Sequence, residues 1–458
     1  MSGPDRLDAA APARAKPLQP GAFLGMASLL RFTRNPLEFM TSMAQVGGDV
    51  VHYRLALRDV FLVRHPEMIR DVLVTRQHDF AKGEGLRWAR RFLGDGLLTS
   101  EGEFHTRQRR LAQPAFHRQR IGSYAEAMVA HAARVRARWR DGEELRLDQE
   151  MARLTLAIAG KTLFDADTEM QAAEIGGALT DMMRLFPRFA LPFHGVLNVL
   201  PLPSNLRYER GRRRLDAIVY GLIDERRRDG RDRGDLLSML MLAHDEDGRA
   251  GMSDRQLRDE VMTLLLAGHE TTANALSWTW HLLSQNPDAE TRLQRELQEV
   301  LGSRLPTVDD LPRLRYTEMV LAESMRLFPP VWGLGRRVLK EQDLGGVRIP
   351  VGSLVTVSPY LVHRDARWFP DPLRFDPERF APEARATRPR FSYFPFGGGA
   401  RGCIGEPFAW MEGTLILATV AQHWSLRLVP GPPVEPQALI TLRPRHGLRM
   451  RAARRNAA

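Results

Sequence analysis

The chain has 458 residues, of which 43% are hydrophobic and 26% charged, and a net charge of +11 from 66 Lys+Arg against 55 Asp+Glu. One cysteine excludes an intrachain disulfide and suits a reducing cytoplasm. The cations are dispersed among acids, and no zinc, basic-zipper or RNA-recognition pattern accompanies them, so the balance reads as a solvated surface and not a nucleic-acid site.

Residues 1–20 are rich in Ala, Pro and charge and are expected to be a disordered leader. Gly21–Leu30 offers about ten apolar residues before Arg31, where a spanning helix needs ~20, so no membrane span is expected. No linker or repeat divides residues 21–450, which are taken as one domain, with 451–458 as a frayed basic tail. Within 48–66 the alternation of apolar and polar residues predicts a β-hairpin broken at Arg58-Asp59, and from Pro66 the spacing of Met68, Ile69, Val72 and Leu73 is helical. His105 and Arg109 stand four apart, on one helical face ahead of Pro114-Ala-Phe.

Helical composition dominates residues 120–250, interrupted over 185–205, where several prolines stand among bulky apolar residues. A long helix is predicted from Ser253, which with Gln256 makes a capping-box signature, to the Asn286-Pro287 stop. Its middle, Ala267-Gly268-His269-Glu270-Thr271-Thr272, is polar and weakly helix-forming, and a local rule broken inside an apolar helix often marks function. Tyr316–Leu327 is a further helix, with Glu323 and Arg326 on one face, stopped by Pro329-Pro330. Pro330–Leu334 and Arg336-Arg337 follow, then Pro377-Glu-Arg379-Phe, a helix over Phe408–Gln422, and strand-like segments at Ser425–Val429 and Ala438–Leu442.

The solitary Cys403 lies in Pro395–Gly405, with five glycines between Gly397 and Gly405. Such a loop lets backbone N–H groups converge on a sulfur, and with Arg401 nearby the thiol is expected to have a depressed pKa. The stretch has the form Phe-x-x-Gly-x-Arg-x-Cys-x-Gly, with Phe396, Gly399, Arg401, Cys403 and Gly405 in the fixed places. It resembles the haem-binding loop of the cytochrome P-450 superfamily. The other motifs resemble that family's segments in their proper order: His105-x-x-x-Arg109, Ala267-Gly268-x-Glu270-Thr271, Glu323-x-x-Arg326 and the Arg379 segment.

The resemblance implies a mainly α fold, one large helical domain with a small β-rich region, and haem b between the long helix and the cysteine loop. Cys403 would be the axial thiolate, favouring O–O cleavage, with Phe396 shielding the sulfur and N–H groups around Gly405 tuning the iron. His105, Arg109, Arg336 and Arg401 would meet the haem propionates, Arg337 being the alternative to Arg336. Ala267 and Gly268 would leave room for O2, Thr271 would hydrogen-bond the bound oxygen and Glu270 would relay protons. Glu323, Arg326 and Arg379 would form a buried structural network. The implied function is monooxygenation of an apolar terpenoid, fatty acid, steroid or polyketide, lined by Pro330–Leu334 and covered by a lid over 185–205. Electrons would come from NAD(P)H through a ferredoxin or flavodoxin and its reductase, docking near Arg107 and Arg110. A peroxide-driven peroxygenase and a non-enzymatic haem sensor are the rival expectations.

Overall fold

The computed structural model describes residues 22–166, 172–185, 188, 195, 198, 200–242 and 251–455. The leader expected over 1–20, more than half of the 185–205 lid and residues 456–458 lie outside these. As expected, the described chain is mainly helical with small sheets.

The predicted hairpin forms from β1 (Val50–Leu55) and β2 (Arg58–Val63), paired from Val50–Val63 to Leu55–Arg58. Its turn falls at Ala56-Leu57 and not at the expected break, because Asp59 is held inside the strand by His52 and Arg54 across the ladder, at 2.8 and 3.1 Å. Further along come β3 (Phe80–Lys82), β4 (Glu144–Arg146), β5 (Leu334–Val338), β6 (Gln342–Leu344), β7 (Val347–Ile349) and β8 (Leu354–Val357). One five-stranded sheet runs β1-β2-β8-β5-β3, and β6 pairs with β7. In the β3–β5 ladder Lys82 stands directly opposite Arg336.

The C-terminal strands are β9 (Trp424–Leu428), β10 (Pro436–Ala438), β11 (Leu442–Pro444) and β12 (Arg449–Arg454). Two expectations need correcting here. Residues 451–454 are no frayed tail: β12 is flanked by β9 and β4 in a three-stranded sheet. Met450 and Ala452 are buried while Arg449 and Arg451 pair with Glu144 at 2.6 and 2.9 Å, so a period-two pattern was hidden under its arginines. Ala438–Leu442 is not a strand but the tip of the β10–β11 hairpin, tightened by the Leu439 N–H donating to the Thr441 carbonyl at 3.0 Å.

The central helix spans Asp254–Gln285, 32 residues or about 48 Å at 1.5 Å each. Both halves of its capping box are made: Gln256 N–H donates to Ser253 Oγ at 3.3 Å and Ser253 N–H to Gln256 Oε1 at 2.8 Å. It is buried nearly all round because helices Leu147–Phe164, Pro203–Asp229, Arg315–Leu327 and Glu406–Ala421 all pack against it. Trp278, fully buried, stacks on Phe328 at 4.0 Å and donates its Nε1–H to the Leu442 carbonyl at 3.0 Å, tying helix to hairpin.

Candidate functional site

From Leu257 to Leu283 every residue of the central helix is buried except Ala267, Gly268 and Thr271. The helix is therefore open on one side at its middle, at the polar hexad. A Cβ built on Gly268 would point at Ala159 and Leu163, 3.8 Å away on the neighbouring helix. Ala267, exposed, is thus the residue whose small side chain leaves the opening free. Thr271 shares that face, and its hydroxyl donates to the Ala267 carbonyl one turn back at 2.7 Å. Glu270 does not share it, since adjacent helical residues point about 100° apart. It is buried against the β10–β11 tip, where Thr441 Oγ1 donates to its Oε1 at 2.6 Å. Burial pushes the Glu270 carboxyl above its ordinary range, against the Thr441 hydrogen bond and Arg443, which favour the anion.

The cysteine loop is shaped by glycines that the backbone demands. Gly397 and Gly399 have φ of 73° and 69°, and a Cβ on Gly399 would lie 2.0 Å from the Leu73 carbonyl oxygen. The Cys403 N–H donates to the Phe396 carbonyl at 3.0 Å, and the Phe396 ring packs on Trp410 at 5.6 Å. Cys403 is free and open to the space before it, directly ahead of the helix Glu406–Ala421. That helix and the central helix pack against each other, which brings the two openings onto neighbouring elements.

Without iron the thiol is not depressed: although one side of the sulfur is open, the protein packed behind it desolvates it and pushes it up to about 11, and Glu406 adds to the rise. The N–H groups of Gly405 and Glu406 and the Arg109 guanidinium oppose this, as a thiolate cradle should, but they are outweighed. Arg401 adds little because it is engaged elsewhere, donating to Glu101 at 2.6 Å and to the Phe80 carbonyl at 3.0 Å. What the sulfur lacks is a cation close enough to deprotonate it outright, which is what an iron centre supplies.

Beside the loop, Lys82, His105, Arg109, Arg336 and Arg401 influence one another's charge. Burial pulls Lys82 down to about 7 and Arg336 to about 10, and the neighbouring cations push each the same way. His105 is pulled to about 4, again chiefly by burial, so at neutral pH it is an uncharged donor, and its helix face carries one cation instead of the expected two. Arg109 donates to the Gly402 carbonyl at 2.8 Å, fastening that helix to the cysteine loop. Arg336 is buried and Arg337 half-buried, which puts Arg336 in the cluster. The Lys82–Arg336 pair opposite each other on the sheet is a like-charge arrangement that costs stability unless an anion sits among them. Glu101 and the more distant Glu260 are the carboxylates that offset these charges. An open sulfur with N–H donors beside a cation-rich rim fits haem, with its iron and two carboxylates.

Lys82, Glu101 and Thr441 were not singled out in the sequence. Lys82 carried one signal: it is one of only four lysines among 66 basic residues.

The structural network centres on one buried pair. Glu323 and Arg326 are wholly buried, joined by two bonds at 2.6 and 2.8 Å. Arg326 also donates to the carbonyls of His363, Pro372 and Arg374 at 2.7–3.0 Å. Glu323 accepts from the Asp376 N–H at 2.8 Å, and Arg379 stands 3.6 Å away. His363 passes this order to the loop, its Nε2 accepting from the Phe394 N–H at 2.9 Å.

Comparison with known proteins agrees with this geometry. The family described as Cytochrome P450 matches residues 16–448. The chain is 42% identical to cyclooctatin synthase of Streptomyces melanosporofaciens, over 92% of each chain. It is 40% identical to cyclooctat-9-en-7-ol 5-monooxygenase of the same organism, over 90% of each. With pentalenene oxygenase of Streptomyces avermitilis it shares 38% identity over 95% of this chain and 97% of that one. The solved structure of a retinoic acid-bound cyanobacterial CYP120A1 superimposes with a TM-score of 0.83 at 28% identity, covering 93% of this chain and 96% of the other. Among the described residues no helix is long and apolar enough to cross a membrane. The fold, the cysteine loop and these relatives together make the chain a member of the cytochrome P450 family, the haem b monooxygenases.

Proposed function

We propose that this enzyme inserts one atom of O2 into an apolar terpenoid and reduces the other to water, using two protons and two electrons from NAD(P)H. The observation that carries the reading is the opening in the central helix, where a methyl group and one hydroxyl, Ala267 and Thr271, are uncovered on a helix otherwise buried from Leu257 to Leu283. The relatives named for cyclooctat-9-en-7-ol and pentalenene support a terpenoid over a fatty acid, steroid or polyketide. When bound, haem b supplies the oxygen-activating chemistry, held by Cys403 and by Lys82, Arg109, Arg336, Arg401 and His105 at its carboxylates. Phe396 covers the sulfur, Thr271 holds a hydroxyl where oxygen binds, and Glu270 stores a proton within one residue of it. Pro330–Leu334 contribute apolar pocket wall, Val331 to Leu334 being half-exposed.

Electrons are delivered by an acidic ferredoxin or flavodoxin with its reductase, in the cytoplasm. Arg107 and Arg110 line a surface cavity of about 440 Å³ together with His78, Glu103, His105 and Arg401. That cavity connects the outer surface to the charged rim, so a carboxylate-rich partner seated there lies close to the cysteine loop.

Titration of the haem-loaded enzyme with terpene hydrocarbons, fatty acids and steroids tests the substrate class. Terpenes are expected to shift the Soret band and to yield hydroxylated product with ferredoxin and reductase. Turnover confined to fatty acids or steroids overturns the terpenoid reading. Product formed only with added peroxide overturns monooxygenation.

A further inference from the structure

The contacts of Thr441 reach beyond a hairpin's own needs. It sits at the β10–β11 tip, in a position fastened from several directions: the Leu442 N–H donates to the Pro330 carbonyl at 2.9 Å, Trp278 Nε1–H to the Leu442 carbonyl at 3.0 Å, and Trp332 Nε1–H to the Leu439 carbonyl at 2.9 Å. From that fixed point Thr441 Oγ1 donates to Glu270 Oε1 at 2.6 Å. It also accepts from Asn274 Nδ2 at 3.1 Å, and Asn274 lies one turn beyond Glu270 on the central helix. Thr441, Glu270 and Asn274 are all buried.

The polarity of this chain is fixed. A hydroxyl has one proton to give. The Thr441 O–H donates to Glu270 Oε1, and Asn274, which donates to Thr441, also hydrogen-bonds the Glu270 carboxyl, so two donors favour Oε1 as an acceptor. Glu270 Oε2 is buried with no partner among the described residues. A neutral Glu270 therefore carries its proton on Oε2, the oxygen from which it can leave without breaking an existing bond. When it leaves, Thr441 still donates to the carboxylate, and Arg443 lies near enough to favour the anion. The charged group facing Glu270 from the hairpin is Arg443; from its own helix it is met by Asn274.

We infer that Thr441 and Asn274 form a clamp that fixes which oxygen of the Glu270 carboxyl holds the transferable proton, making them positioning residues for proton delivery. The inference rests on the reading of Glu270 as proton donor, and the test separates the two. In the haem-loaded enzyme the carboxyl stretch of Glu270 is identified by infrared spectroscopy as the band lost in Glu270→Gln. Thr441→Val, which keeps shape and removes the hydroxyl, is expected to shift that band to higher frequency because its C=O loses a hydrogen bond. Thr441→Ser is expected to restore it.

In parallel, hydrogen peroxide released per NADPH is measured with ferredoxin, reductase and pentalenene as probe; this ratio is readable whether or not the hydrocarbon is hydroxylated. It is expected to rise several-fold in Glu270→Gln and in Thr441→Val, and to return to within twofold of wild type in Thr441→Ser. If Glu270→Gln leaves the peroxide ratio unchanged, the donor reading of Glu270 fails and the clamp fails with it as a catalytic device. If Glu270→Gln raises the ratio but Thr441→Val alters neither ratio nor band, the clamp alone is overturned. The reduced carbonyl spectrum, unchanged in all three variants, checks that the cysteine loop is intact; should Thr441→Val misfold, Asn274→Leu, which frees the Thr441 hydroxyl to turn away, is read by the same two measurements.

Discussion

Two clusters of buried charge flank the cysteine loop, and they are built on opposite principles. The Glu323–Arg326–Arg379 network is closed: its acceptors meet donors, its guanidinium is spread over a carboxylate and three carbonyls, and both principal members are wholly buried. The cluster of Lys82, Arg109, Arg336 and Arg401 is open: cations crowd one another, two of them face each other across a ladder, and burial pulls the pKa values of Lys82, Arg109 and Arg336 down. A network whose carboxylate and central guanidinium are already satisfied offers little to a ligand, which is what a role in holding the fold in place requires. An open one stores repulsion that an anionic ligand relieves, which is the signature of a site. The same residue type, arginine beside glutamate, serves both ends, and only the balance of donors and acceptors tells them apart.

The largest expected effect breaks the closed cluster. Arg326→Met leaves buried Glu323 with only the Asp376 N–H and the more distant Arg379, strands three carbonyls, and should cost about 3–5 kcal/mol of stability. Thermal unfolding of the apoprotein and the haem-loaded enzyme would both show it. Replacing Glu323 by Leu as well should not restore the loss, because the carbonyls of His363, Pro372 and Arg374 remain without a donor. Equal melting temperatures for wild type and Arg326→Met would remove the distinction drawn here.

Arg336→Met in the open cluster should act with opposite sign on the two states. Without haem the repulsion with Lys82 and Arg401 is relieved, and the apoprotein should be no less stable than wild type. With haem, the proposed contact of Arg336 with a carboxylate predicts the loss of a charge-assisted bond, worth about 1.5–3 kcal/mol, or roughly ten- to a hundredfold in haem affinity. Haem transfer to apomyoglobin measures this. A destabilised apoprotein with unchanged haem affinity would make Arg336 structural, like Arg326.

The pH dependence of apoprotein stability gives a finer test. Lys82 is pulled from 10.5 down to about 7 in the folded state, so its contribution is complete above the unfolded value and is lost as pH falls toward 7. Glu260 is pushed from 4.5 up to about 7, so its contribution is complete below 4.5 and is lost as pH rises toward 7. The two limbs predict a shallow stability minimum near neutrality. Lys82→Met should flatten the alkaline limb alone, and haem, by setting anions beside Lys82, should flatten it in the wild type.

Sequence reading reached the helices and the motifs but not the balance that separates the clusters, for physical reasons. The capping box at Ser253, the 32-residue helix and the spacing of Glu323 to Arg326 are local, so periodicity and caps reveal them. The cysteine loop is equally legible, because positive φ at Gly397 and Gly399 leaves few alternatives to glycine. The rise of the iron-free Cys403 thiol is not legible, because the donors around it are visible in its sequence neighbours while desolvation is a property of the whole fold. Lys82 and Thr441 were missed because their partners lie far along the chain: Lys82 faces Arg336 from 254 positions away, and Thr441 meets Glu270 from 171 away. β12 was missed because its alternating pattern is written in arginine and alanine, which read as a solvated tail.

The smallest expected effect lies outside both clusters, at Arg110 on the exposed rim of the surface cavity. The partner docking proposed for it is electrostatic and would be screened, since the Debye length is about 8 Å at physiological salt. Arg110→Glu should therefore slow ferredoxin-supported turnover several-fold at low ionic strength and converge with wild type as salt rises, with haem affinity and the carbonyl spectrum unchanged. Arg336→Met should show the reverse pattern, a haem defect that salt hardly touches, because its charge is buried. If both variants respond to salt alike, the separation between a surface that steers a partner and an interior that grips a cofactor has been drawn in the wrong place. If only Arg110→Glu does, then the depth of a cation, and not its position in the sequence, decides which of the two tasks it performs.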